Sequence, residues 1–348
     1  MKRRQIMRAL AGLGLALPPR LGRAAAVGGP LTLLTGGPQD GRISRWSDAF
    51  ALALSARFAH HPQIRTQPIG GLDGVTGANR LDALVVPDGK TAALLPGAAL
   101  IAYLTSDPRV HFDPTRWTPL LAGSQSGVLM MRAPAGTKPD LIAMAAHMPP
   151  LRLGADQPQS NDLAALLALA RLGVPVSPVF GLRGTEAKTR AFIAGEVDAV
   201  FICGEGVPED IAPLSAAGAQ AIFSIGQLGP EGTLGPDPLF PALPNILATP
   251  SQGPAFLNVA SQAAAAAARL DFLVVLPRLI DPSAIALWRQ AADEAADSPS
   301  LIAAASASAI SLQAAPVLAA SLSAQALSPA DQASLRAFLA KSYGWQPG

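Results

Sequence analysis

Short apolar runs alternate along this chain with alanine-rich stretches of helical period, and this alternation constrains the fold more than any other feature. The apolar runs predict strands at Leu31–Leu34, Ala83–Val86, Val128–Met131, Leu151–Leu153, Val197–Ile202, Ala221–Ile225 and Phe272–Leu276. Between them the pattern predicts helices at Ser44–Ala59, Leu163–Leu172, Thr185–Ala194, Pro208–Ala217, Pro282–Ala295 and Pro329–Tyr343. Strands that alternate with helices belong to parallel α/β sheets. The last helix carries its own start signal: Ser328 as cap, Pro329 in the first turn and Asp331 three residues after the cap. Residues 226–253, rich in proline and glycine, read as a long surface connection. A length of 348 residues suits one large or two modest domains.

Charge and hydropathy narrow the function classes. Residues 1–26 contain Lys2, Arg3, Arg4, Arg8, Arg20 and Arg23 and no acid. Six of the 26 basic residues therefore sit in this leader, and the remainder has 20 basic against 24 acidic residues, a net charge of −4. No basic patch is left to track a nucleic-acid backbone. The leader has the three-part layout of a secretory signal: a basic start, an apolar core at residues 9–17, and the small-residue site Ala24-Ala25-Ala26. It predicts export to the periplasm and a mature chain beginning near Val27. The Arg3-Arg4 pair fits a twin-arginine signal and equally a general-secretion signal. No run of 18 apolar residues reads as a transmembrane helix; the alanine tract at Ala263–Ala268 is too short.

The usual catalytic templates are missing. His60, His61, His111 and His147 show no metal-ligand spacing with one another or with a carboxylate. Cys203 follows the apolar run Val200-Phe201-Ile202 and reads as a buried, inert thiol. The string GSQSG at Gly123–Gly127 has Gln125 where a nucleophile elbow needs serine. No metal, cofactor or catalytic residue is assigned. The chain does have glycine loops at strand ends. One runs from Thr35 to Gly41 and includes Gly36, Gly37, Gln39 and Asp40; the other runs from Gly71 to Gly77 and includes Gly74, Val75 and Thr76. Glycines let backbone amides approach an anion, and a helix N-terminus adds partial positive charge. The same glycines also make simple tight turns, and both readings stand on the residues alone.

Several strings, in order and at sensible spacing, resemble the tripartite tricarboxylate transporter receptors, the Bug or TctC family. Gly36-Gly37-Pro38-Gln39-Asp40 is similar to that family's PGG-x-x-D loop. Gly71-x-x-Gly74-x-x-Gly77 matches its GAGG-x-x-G spacing, and Pro87-Asp88-Gly89-Lys90-Thr91 resembles its PDG-x-T turn. Arg183-Gly184 and Gly195-Glu196-Val197-Asp198 stand where the family has a lysine-glycine pair and G-x-V-D. Asp237–Pro244 is similar to its proline-rich connection.

The resemblance implies a two-lobed periplasmic-binding-protein type II fold with a hinge and an interlobe cleft. It implies a discontinuous first lobe (27–125 and 229–348) and a continuous second lobe (126–228). It also implies a monomeric, non-enzymatic receptor for a small organic acid, with a membrane carrier as partner. A role beside a periplasmic sensor, or an enzyme on the same scaffold, are the rival readings. The expected ligand contacts are Thr35, Gly36, Gly37, Gln39, Asp40, Gly74, Val75, Thr76 and Gly77 from the first lobe. From the second they are Ser160, Asn161, Arg183, Gly184 and Thr185. The sequence departs from the family at Gly154–Asp162, where Asp162 stands near the usual histidine, and at Ile202, where an acid is usual. Asp156 and Asp162 put negative charge near a cleft expected to hold an anion, with Arg183 as the expected compensating cation.

Overall fold

The computed structural model describes residues 29–133, 149–229 and 231–345. The expected export signal and its cleavage site lie outside the described residues. The strands are β1 (Leu31–Gly36), β2 (Ile64–Ile69), β3 (Thr91–Pro96), β4 (Thr118–Ser124), β5 (Gly127–Arg132), β6 (Leu151–Gly154), β7 (Val176–Val179), β8 (Ala199–Cys203), β9 (Ala219–Ser224), β10 (Gln227–Leu228), β11 (Leu234–Gly235), β12 (Leu270–Leu276) and β13 (Ser311–Ala314). The helices are α1 (Arg42–Ser55), α2 (Val75–Leu84), α3 (Ala98–Leu104), α4 (Leu163–Arg171), α5 (Gly184–Ile193), α6 (Val207–Asp210), α7 (Ala212–Ala216), α8 (Ala255–Ala268), α9 (Pro282–Ala296), α10 (Pro299–Ala307), α11 (Ala315–Ser323) and α12 (Pro329–Tyr343).

Two sheets organise these elements into two lobes. The first has the order β13-β4-β12-β3-β1-β2 and the second β7-β6-β8-β5-β9. β1 runs parallel to β2 and β3, and β6 runs parallel to β7 and β8. β12 and β5 are antiparallel to their neighbours. The sequence explains the burial. Every residue of β12 (LDFLVVL) is buried, as expected for a strand covered by helices on both faces. In α1 the buried residues Trp46, Phe50 and Leu54 recur at i, i+4 and i+8, while Leu52 is exposed. α1 packs on one face of the first sheet with Trp288 of α9 and Leu301 of α10. The other face belongs to a larger core that continues into the second lobe. There α4 and α8 lie along each other.

Four elements depart from the sequence expectation. Residues 83–86 are not a strand: Val75 begins a helix that runs to Leu84, and the neighbouring strand is the buried run Thr91–Pro96. The helix expected at 44–59 ends at Ser55, and His60 and His61 follow it in left-handed backbone. The helix expected at 208–217 breaks at Ile211 into α6 and α7. The connection at 226–253 carries the β10–β11 hairpin and buries Asp237, Ile246 and Leu247, so it is more than a surface loop.

The chain crosses from the first sheet to the second through Gln125 and Ser126. It leaves the second sheet at Ile225-Gly226 and returns to the first at β12. The crossings touch: the Ile225 N–H donates to the Gly127 carbonyl at 3.0 Å. Arg269, just before β12, donates from Nε to the carbonyls of Ile225 (3.0 Å) and Gly226 (2.9 Å). Gln125 in turn donates its backbone N–H to Arg269 O at 2.7 Å and its Nε2 to Ala268 O at 2.7 Å. Burial pushes the Arg269 guanidinium down to about 10, against the opposing pull of the Asp237 carboxylate.

Candidate functional site

Loops at the carboxyl ends of the parallel strands are where ligands lie in open α/β folds. In the first lobe these are the β1–α1 and β2–α2 loops, and the structure brings them together. A Cβ on Gly77 would stand 3.1 Å from the Gly36 Cα, and one on Gly36 would stand 2.8 Å from Leu95 Cδ2. Gly74 caps α2 in left-handed backbone, with φ of 74°, and a Cβ there would stand 2.5 Å from Pro96 Cδ. These glycines serve close packing of the ends of β1, α2 and β3. The Gly37 N–H is taken by Thr35 O at 2.9 Å. Thr35 is fully buried, and its Oγ1 has no partner among the described residues. Val75 is buried and its N–H reaches Asp73 Oδ1 at 3.2 Å. Gln39, Asp40 and Thr76 are exposed. α1 begins after Gly41 with no side-chain cap and no acid in its first turn, so Arg42 supplies the charge there.

The second lobe holds its charges in pairs. Asp162 is buried; its Oδ2 accepts from the Asp156 N–H (2.9 Å) and from Ser160 Oγ (3.0 Å). Its Oδ1 pairs with the buried Lys188 ammonium at 2.5 Å, and Lys188 also donates to Phe201 O at 3.0 Å. The cation that compensates Asp162 is therefore Lys188, not Arg183. Arg183 is 73 % exposed, and its Nε lies 3.6 Å from Asp156 Oδ2. Gly184, also exposed, starts α5 with φ of 73°. The Thr185 hydroxyl serves the Asp210 carboxylate, whose pKa burial nonetheless raises. Asn161 approaches the Cys203 thiol, and its Oδ1 is buried without a partner among the described residues. Desolvation pushes that thiol up to about 11, with Lys188 and Arg42 near enough to oppose the shift. A thiol held there is not a nucleophile at neutral pH.

The lobes also meet directly. Glu205, after β8, accepts from Trp46 Nε1 at 2.6 Å and pairs with Arg45 Nη2 at 3.2 Å, both on α1. The Gly206 N–H reaches Ser308 O at 3.4 Å. Arg42 forms an ion pair with Asp271 at the start of β12. Desolvation outweighs that partner and pushes the Asp271 carboxyl up to about 6. Arg42 thus lies within electrostatic reach of the Cys203 thiol that Asn161 approaches, while Glu205 joins the second lobe to α1.

Sequence reasoning did not single out Arg42, Trp46, Lys188, Glu205 or Asp271. Arg42 was accessible to it as the first helical residue after a glycine loop, and Glu205 as an acid flanked by glycines at a strand end. Lys188, between the charged residues Glu186 and Arg190 on a helix, looks like any solvated lysine until Asp162 is placed against it. Among the described residues, no group of three or more His, Cys, Asp or Glu side chains forms a metal cluster.

No family model and no curated protein sequence matches the chain. Solved structures do. A TctC solute-binding protein from Polaromonas superposes with a TM-score of 0.67 at 17% identity, covering 90% of this chain and 98% of that one. The periplasmic binding protein BugD gives 0.54 at 14% identity, with 88% and 97% covered. MatC from Rhodopseudomonas palustris with bound malate gives 0.53 at 16%, with 88% and 98% covered. The chain therefore has the two-lobed α/β fold seen in the TctC-type periplasmic binding proteins.

Proposed function

We propose that this chain is a periplasmic, non-enzymatic receptor of the tripartite tricarboxylate type, which binds a small carboxylate-bearing solute between its lobes. It works as a monomer and hands the solute to the membrane carrier of such a transporter. Residues 27–125 and 229–348 form one lobe and 126–228 the other, after removal of the leader. The observation that carries the reading is Arg42 at the uncapped start of α1, within electrostatic reach of the Cys203 thiol on the second lobe. A helix N-terminus and a guanidinium together favour an anion. Two of the carboxylates nearby have cations of their own, Asp162 with Lys188 and Glu205 with Arg45, and a ligand would share Arg42 with Asp271, whose carboxyl burial pushes up to about 6. The binding of malate by a protein of the same fold supports a dicarboxylate as ligand class.

Calorimetry of the purified mature protein with malate and adipate tests the reading, with mass spectrometry of copurified small molecules to identify the natural ligand. A dicarboxylate should bind. The double change Arg42→Ala/Asp271→Asn, which avoids stranding a buried carboxylate, should weaken it about 10- to 100-fold through loss of a charged hydrogen bond. Unchanged affinity in a folded double variant places the ligand elsewhere. Sequencing the N-terminus of periplasmic protein tests export: Val27 is expected, and a retained Met1 refutes it.

A further inference from the structure

Between the two crossing segments and β13 lies a cavity of about 220 Å³. Its walls include Ser124, Asp237, Leu239, Ile310 and Ser311, none of them a residue of the cleft loops. Asp237 is 1% exposed. Its Oδ1 accepts from Ser126 Oγ at 2.7 Å and from the Leu239 N–H at 2.9 Å. Its Oδ2 is buried with no partner among the described residues. A buried carboxylate oxygen without a donor is costly. The buried cation within electrostatic reach, Arg269, is committed to the carbonyls of Ile225 and Gly226.

We propose that this cavity is a second ligand site, which takes the ammonium group of a small primary amine. An ammonium brings three N–H donors and no acceptor. Asp237 Oδ2 matches one donor, and the hydroxyls of Ser124 and Ser311 in the lining offer acceptors for the others. Leu239 and Ile310 give a short alkyl chain an apolar wall. The volume is several times the ~30 Å³ share of one water molecule, so the site suits a small molecule, not a single solvent. A divalent metal fits poorly: Asp237 is the sole carboxylate in the lining, and such ions collect several oxygen ligands, usually more than one of them charged. Because both crossings wall the cavity, an amine there also touches the hinge.

Calorimetry of the mature protein with ethylammonium chloride, at an ionic strength fixed with sodium chloride, tests the site. Saturable binding is expected, weakened at least tenfold by Asp237→Asn, which keeps the shape and an acceptor at Oδ1. Ser311→Phe, which fills the cavity from β13, should weaken it equally and decides the matter should Asp237→Asn fail to fold. Three results overturn the proposal: no saturable binding by the wild-type protein, equal binding by the folded variants, or equal binding of tetramethylammonium, which has no N–H to donate.

Discussion

Glu205→Ala severs the side-chain contact that joins the β8–α6 loop of the second lobe to α1 of the first. The Trp46 Nε1 to Glu205 Oε1 bond, at 2.6 Å, links an indole that is only 4% exposed to a carboxylate on the opposing lobe. A hydrogen bond to an ionised acceptor in such surroundings is worth about 1.5–3 kcal/mol. The companion Arg45–Glu205 pair adds less, about 0–1 kcal/mol, because Arg45 is 70% exposed and solvent screens it. A double-mutant cycle of Glu205→Ala with Trp46→Phe isolates the first bond, since the packing cost of the indole change cancels. Urea unfolding of the four proteins should give a coupling energy of about 1.5–2 kcal/mol. A loss of ~2 kcal/mol from the closed form shifts the open-to-closed ratio by roughly 30-fold. Small-angle scattering should then show a larger radius of gyration in Glu205→Ala, and Trp46 emission should move to the red. A ligand that binds only the closed form should lose affinity by no more than the same factor. Coupling below about 0.3 kcal/mol, or scattering that does not change, refutes the assignment of Glu205 as an interlobe clasp.

Three further outcomes are expected. Lys188→Met should destabilise by about 3–5 kcal/mol because it strands buried Asp162, whereas exposed Arg183→Ala should stay within about 0.5 kcal/mol; urea midpoints separate the two, and equal effects refute the pairing. Gly74→Val should cost more than about 2 kcal/mol, since φ is 74° and the new Cβ would overlap Pro96; a change below 1 kcal/mol by the same measurement refutes the close-packing role. The Asp271 carboxyl is pushed up to about 6 in the fold, above its ordinary unfolded range near 4, so its contribution is fully present below pH ~4 and is lost as the pH rises through 6. Wild-type stability measured against Asp271→Asn should therefore fall between pH 4 and 7, and a rise over that window refutes the burial argument.

The parts of the fold set by local chemistry were legible in the sequence. The Ser328 cap, whose Oγ accepts from the Asp331 N–H at 3.1 Å, and Pro329 mark the start of a helix that runs to Tyr343 as expected. The apolar runs at 128–131 and 272–276 lie in buried strands, and residues 151–153 lie in a strand that buries Leu153 and leaves Arg152 exposed. Misreadings came where one short apolar run serves two structures. Ala83 and Leu84 complete a helix that exposes them, and β3, a few residues later, takes the buried place. The site was less legible than the fold. Its pairs join residues far apart in the chain: Trp46 with Glu205, Arg42 with Asp271, Asp162 with Lys188. Nothing in the spacing of those residues announces a partner, because the two sheets decide which loops meet.

The shared core beneath the hinge has a consequence for how the molecule melts. Leu34 and Leu100 of the first lobe and Phe201 and Phe223 of the second belong to one continuous buried cluster, stitched by α4 lying along α8. Two lobes joined only by crossing strands would be separate cooperative units, each able to open at its own temperature. Here α4 and α8, both part of the shared cluster, cannot separate without exposing buried apolar surface in each lobe. A single calorimetric transition follows, with van't Hoff and calorimetric enthalpies in agreement. Substitutions in α4 should lower the melting temperature of the whole chain, not that of one half.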